Sequence, residues 1–308
     1  MRLIRAALAR EDLVGGLLRS VGRLVPDRAL PLMIRAFDGG TNLAETIGHV
    51  RDPLIPPLRL RLHIGPFLDP RLYRLSAERN LSALRELSDL GPSSRVLDIG
   101  CGCGRMSAVL ARFLDNSGSY DGFDAAREPV QWCQDHISSR FSNFRFRHVD
   151  TFSPRYNPAG KVRGVELEFP YDSNRFDVTF AASVYTHMLP EEIAHFVAET
   201  ARVLRPGGFS FATFCLLNDT TLPRVAAGES TPRLPYVFGD CRIRDLSDPA
   251  SFVAQPETSI RHVYSSATLR IMGPIRYGSW AGASDRLEMS SPYGFNQDIV
   301  IGAKTVRE

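Results

Sequence analysis

Short apolar runs alternate with amphipathic stretches through most of the chain. Leu81, Leu84, Leu87 and Leu90 recur at helical spacing and predict a helix from Leu75 to Leu90, stopped by Gly91-Pro92. Beyond it the pattern predicts a strand at Val96–Ile99, a helix at 105–114, a strand at Tyr120–Phe123, a helix at 127–138 and a strand at Phe144–Val149. A strand at Phe176–Ala182, a helix opened by Pro190-Glu191-Glu192 and a strand at Phe209–Leu217 follow. Apolar strands separated by single helices imply a parallel sheet covered on both faces, a doubly wound α/β core. Two last runs, "LRIMGPIRYG" and "NQDIVIGAK", predict a hairpin-like pair of strands.

Three stretches depart from this rhythm. Near the start, Leu3, Ile4, Ala7, Leu8, Val14, Leu17, Leu18, Val21 and Leu24 form a helical stripe with Arg2, Arg5, Arg19 and Arg23 mostly off it. That pattern fits a helix packed on its own domain, and it also fits a basic helix of residues 1–24 making peripheral contact with a membrane. Residues 38–74 are rich in proline, glycine and arginine and read as an irregular lead-in with short helical pieces. Residues 218–262 interrupt the core with proline, glycine and polar clusters. The expected organisation is a helical and irregular extension over 1–74 and one catalytic-size domain over 75–308, with 218–262 inserted as a lid.

Charge narrows the partners. The net charge is +3, Lys161 and Lys304 are the only lysines, and arginines are scattered along the whole length, so no nucleic-acid face is expected. Five cysteines, an odd number, form no disulfide framework and point to the cytoplasm. Arg10, Glu11 and Asp12 break any secretion-signal core, and no run approaches the roughly 20 apolar residues of a membrane span.

The densest chemical signal is "RVLDIGCGCGR", residues 95–105, where a strand ends near Asp98 and turns on Gly100, Gly102 and Gly104. Glycine lets a ligand approach the backbone at a helix N-terminus. The spacing is not the G-x-G-x-x-G of dinucleotide folds, and a pyrophosphate would meet Asp98 unfavourably, whereas an ammonium group would pair with it. The stretch "VLDIGCGCG" resembles the first motif of class I S-adenosylmethionine-dependent methyltransferases. "YDGFDAA", "FRFRHVDTF", "FDVTFAASVYTHMLPEE" and "VLRPGGFSFATF" follow that family's order.

The resemblance implies a Rossmann-like, seven-stranded, mostly parallel sheet with a final antiparallel strand. It also implies S-adenosylmethionine as cofactor and S-adenosylhomocysteine as product. Asp98, Gly100, Cys101, Gly102 and Gly104 would cradle the cofactor, Asp124 would bind both ribose hydroxyls, and Asp150 would accept from the adenine amino group with Thr151 beside it. Ser183, at the exit of the fourth strand, would face the sulfonium methyl. A metal on the "CGCG" thiols with Cys133 and His136 is not expected, because a loop lying against a cofactor cannot also aim two thiolates at an ion.

Methyl transfer from a sulfonium is an in-line displacement that mainly requires alignment. An oxygen or protonated nitrogen acceptor must also lose a proton, which makes His187 the expected base and Tyr185 a weaker candidate. For such a base the rate falls as pH drops through about 6 to 7. The fourth-strand exit lacks the Asn-Pro-Pro-Tyr and Pro-Cys signatures of base-methylating enzymes and the acids of magnesium-dependent ones, leaving a metal-free O- or N-methyltransferase. The long connection "FSPRYNPAGKVRGVELEFPY" and residues 218–262 would overhang the cofactor as a lid. "RYGSW" and "NQDIV" resemble a bacterial group acting on sugars, glycans, lipids or secondary metabolites, so the expected acceptor is a hydroxyl or amine of a small-molecule, glycan or lipid-like substrate. The alternative is a non-catalytic accessory module that holds the cofactor.

Overall fold

The computed structural model describes residues 52–65, 67, 69–282 and 296–306. The helix expected within residues 1–24 lies outside them. Two helices come first, α1 (Leu58–Ile64) and α2 (Pro70–Leu87). α2 starts at Pro70 rather than Leu75 because Asp69 accepts a hydrogen bond from Arg71 N at 2.7 Å and Pro70 fills the first turn, where its missing N–H costs nothing. It ends before Gly91-Pro92, where Ser88 donates from both N and Oγ to Leu84 O. Leu54 and Leu60 share a core cluster with Tyr73, Met106 and Leu110, so the described part of the extension packs as one body with the residues after 74.

The sheet segments follow in order: β1 (Arg95–Ile99), α3 (Arg105–Leu110), β2 (Ser119–Asp124), α4 (Arg127–Cys133), β3 (Phe144–His148), β4 (Phe176–Ala181), α5 (Pro190–Val203) and β5 (Leu204–Phe214). α4 is shorter than expected because the chain widens into a π-turn at Gln134–Ser138. Next come β6 (Leu216–Leu217), α6 (Thr221–Ala226), β7 (Tyr236–Phe238), β8 (Cys241–Ile243), β9 (Val253–Pro256), α7 (Glu257–Ser266), β10 (Leu269–Ile271) and β11 (Asp298–Lys304).

Seven strands form one sheet in the order β10-β11-β5-β4-β1-β2-β3. β1 to β5 are mutually parallel, and β11 runs antiparallel to both β5 and β10. This is a doubly wound Rossmann-like α/β fold. The two-residue period of β1 serves both faces: Val96 packs with α2 and α3, while Leu97 and Ile99 pack with Ile193 and Phe196 of α5 and Tyr264 of α7. Asp98 falls on the Val96 face. Among the described residues no helix is long and apolar enough to cross a membrane.

The segment 218–262 is more ordered than its composition suggests. β6, β9, β8 and β7 form a second sheet, and α7 belongs to the main core through Ile260 and Tyr264. The expected strand Phe209–Leu217 is split, since β5 stays in the main sheet while Leu216 pairs with Gln255 of β9. Asp298 of β11 holds this junction, its carboxylate accepting from Leu216 N, Gly278 N and Trp280 Nε1 at 2.7 to 2.8 Å.

Candidate cofactor and acceptor site

The glycine loop leaves β1 at the carboxyl edge of the sheet, where open α/β folds bind ligands. Gly100 N and Cys101 N both donate to Phe123 O at the end of β2, at 2.9 and 3.0 Å. Gly102 N donates to Asp124 Oδ2 at 2.8 Å, and Ala126 N donates to Asp124 Oδ1 at 2.7 Å. Asp124 thus holds the loop in place from the neighbouring strand. Gly100, Gly102 and Gly104 have φ of +71°, +53° and +78°, a left-handed run that glycine adopts without penalty. At Gly102 a Cβ would stand 2.7 Å from Ile64 Cγ2, so α1 roofs the loop.

Beneath the loop Asp98 is buried and forms no ion pair among the described residues. The Tyr120 hydroxyl donates to its Oδ2 at 2.7 Å. Burial pushes the Asp98 carboxyl up to about 7, against the opposing pull of the Tyr120 hydrogen bond and the Arg105 charge. A carboxylate in this state gains from a cation brought beside it.

The site opens into a cavity of about 1340 Å³ that runs from the glycine loop to the connection after β3 and the small sheet after β5. Asp98, Gly100, Cys101, Gly102, Asp124, Thr151, Ser183 and His187 line it. Asp150 does not. It is exposed, and its Oδ1 accepts from Asn157 Nδ2 at 3.3 Å. The neighbouring Thr151 turns inward, with Oγ1 buried and without a hydrogen-bond partner. Ser183 takes a left-handed conformation, φ +61°, as its N donates to Thr213 Oγ1 and its Oγ to Gln297 Oε1.

His187 and Tyr185 share a 3-10 turn, Tyr185–His187, but point to different places. Tyr185 is a correction to the sequence-based expectation: it is buried in the core, stacked on Phe214 at 4.9 Å, and burial pushes its hydroxyl up to about 12. His187 Nδ1 lies 2.9 Å from Ser251 O, and a carbonyl partner makes that nitrogen the donor of a neutral ring. Burial, reinforced by the charges of Arg155 and Arg244, lowers its pKa to about 3. That value lies below the 6 to 7 range expected from sequence, and the ring is neutral above it.

Several lining residues had no signal in sequence: Ile64 over the loop, and Arg155, Tyr156, Arg244 and Ser251 from the two overhanging segments.

Residues 96–208 match a family model described as a methyltransferase domain. Over these residues the chain carries a methyltransferase domain. It is 29% identical over 160 residues to a phthiotriol/phenolphthiotriol dimycocerosates methyltransferase of Mycobacterium ulcerans, covering 51% of this chain and 49% of that one. It is 25% identical over 173 residues to an O-methyltransferase of Penicillium expansum, covering 54% and 55%. The chain thus spans about half the length of the curated relatives it matches. A crystal structure of a Pyrococcus horikoshii protein shares the fold, with a TM-score of 0.50 and 16% identity over 76% of this chain and 91% of that one.

Proposed function

We propose that this chain binds S-adenosylmethionine on the glycine loop and catalyses transfer of its methyl group to a small or lipid-like molecule held under the lid, without a metal. The carrying observation is the cradle: a buried, ion-pair-free carboxylate at Asp98, a loop closed to side chains at Gly102 and an orphan hydroxyl at Thr151, all on one cavity. When bound, the cofactor supplies an electrophilic methyl group on a sulfonium. In this reading Asp98 holds its ammonium, Asp124 its ribose diol and Thr151 the edge of its base. Since Asp124 also bonds Gly102 N, one side chain would set both loop and sugar.

The chain's remaining task is to align the acceptor and exclude water, the chief demands of an in-line displacement. The connection after β3 and the small sheet after β5 close over the cavity for this purpose. The cavity continues past the loop to Phe238 and Arg244, room that a module holding only the cofactor would not need. An oxygen acceptor is supported by the name of the Penicillium relative. The five cysteines are free and buried, which suits a reducing cytoplasm.

Asp124→Ala should weaken cofactor binding by about 1–3 kcal/mol, the scale of lost charge-assisted hydrogen bonds. Calorimetry on the folded variant checks this, and unchanged affinity would remove Asp124 from the sugar site. For the reaction itself, a metabolite pool incubated with deuteriomethyl-labelled cofactor should yield one mass-shifted compound. Tight cofactor binding with no labelled product would favour the accessory module instead.

A further inference from the structure

Around His187 the cavity wall is built from both additions to the sheet. Arg155 and Tyr156 come from the β3–β4 connection, and Arg244 and Ser251 from the segment between β8 and β9. Ser251 O accepts from His187 Nδ1 at 2.9 Å and from Arg244 Nη2 at 3.4 Å, so a guanidinium and an imidazole share one carbonyl. The Arg155 guanidinium lies 5.1 Å from the Tyr156 ring centroid, which is itself 6.1 Å from that of His187.

Two cations therefore converge on one imidazole. Among the described residues neither forms an ion pair, and Arg155 Nε is buried without a hydrogen-bond partner. Asp248, on the same wall, favours the charged Arg155, while Arg244 opposes it. Asp240 and Asp245 also line the cavity. A partly buried pair of like charges is costly until an anion joins it, and planar guanidinium forks match a carboxylate. Toward solvent the cavity is rimmed by Phe152 and Phe238, exposed by 47% and 39%. Val237, next to Phe238, and Leu246, between the lining residues Asp245 and Ser247, are each 59% exposed. Apolar side chains gathered at a cavity mouth mark contact with an apolar ligand.

We propose that the acceptor is an amphiphilic carboxylic acid, with its carboxylate held by Arg155 and Arg244 beside His187 and its apolar body leaving over Phe152 and Phe238. This rests on the methyltransferase reading above and names the substrate class for that site. A carboxylate is ionised at neutral pH, its pKa being about 4. Its oxygen lone pair forms the O–CH3 bond while the S–CH3 bond breaks and leaves its electrons on sulfur. No proton moves, so the step needs no base from His187; the ring shapes the site.

Dodecanoic acid, dodecanol and dodecyl phosphate serve as probes. With deuteriomethyl-labelled cofactor, wild-type protein should convert dodecanoic acid to its labelled methyl ester and leave dodecanol unlabelled. Without cofactor, calorimetry should show dodecanoate binding that weakens about 10- to 100-fold in the Arg155→Gln, Arg244→Gln double variant, the loss expected for two charge-assisted contacts. Label on dodecanol but not on the acid would overturn the proposal, and so would dodecanoate binding equally to wild type and variant. Dodecyl phosphate methylated in preference to the acid overturns the carboxylate. The acid and alcohol comparison uses wild-type protein and does not depend on the variant folding. If the labelled cofactor binds normally in any of these outcomes, this inference fails alone; if it does not bind, the methyltransferase reading fails with it.

Discussion

Gly102→Val should weaken cofactor binding by roughly thirtyfold or more while the protein stays folded. Two costs combine at this position. The backbone is left-handed, φ +53°, which disfavours any side chain and a β-branched one most. A Cβ would also lie 2.7 Å from Ile64 Cγ2, so either α1 lifts or the loop sinks toward the ligand. Strain of the first kind costs about 1–2 kcal/mol and overpacking typically about 1–3 more, together roughly a thirtyfold to several-thousandfold loss of affinity. Circular dichroism would verify the fold, and equilibrium dialysis with labelled cofactor would measure binding. Gly102→Ala should fall between wild type and valine. Wild-type affinity in the valine variant would mean that the loop does not hold the cofactor.

The fold was legible because its strands are buried on two faces and appear in sequence as short, mostly apolar runs, as in Val96–Ile99 and Phe176–Ala181. The small sheet within 218–262 was not legible because its strands are two to four residues long, too short for a period to emerge from "LPYVFGDCRIR". The site splits along similar lines. Gly100, Gly102 and Gly104 are tied to backbone geometry that sequence can express. Which of two neighbours turns inward is decided by loop geometry, and sequence alone cannot assign it. Thr151 faces the cavity and Asp150 faces solvent. Tyr185 and His187 would share a face on an extended strand exit, but the 3-10 turn sends one to the core and the other to the cavity. The charge state of His187 depended first on its burial and then on Arg155 and Arg244, which arrive from distant segments.

Burial also moves the expected pH dependence from His187 to Asp98. Cofactor affinity should fall as pH drops below 7, by about tenfold per unit and roughly 100-fold at pH 5, because an ammonium ligand requires ionised Asp98. Asp98 is faced by Tyr120 from β2, Arg105 from α3 and Asp124 at the end of β2, and burial outweighs the two that favour its charge, raising it to about 7. Below that value its proton must leave before the ammonium can bind. The sign for folding is opposite. A carboxyl raised in the folded state contributes stability that is full below its unfolded pKa near 4 and lost as pH rises through 7. Acid weakening of binding therefore cannot come from destabilisation through this group. Calorimetric titrations from pH 7.5 down to 5 stay below the range near 8 where an α-ammonium itself titrates. Asp98→Asn keeps an acceptor for the Tyr120 hydroxyl, and it should bind more weakly at pH 7.5 with an affinity nearly flat across the range. His187→Ala should keep the wild-type limb, since the imidazole is already neutral throughout. If the limb survives in Asp98→Asn and disappears in His187→Ala, the histidine titrates after all, and the carboxylate beneath the glycine loop is not the partner of the cofactor's ammonium.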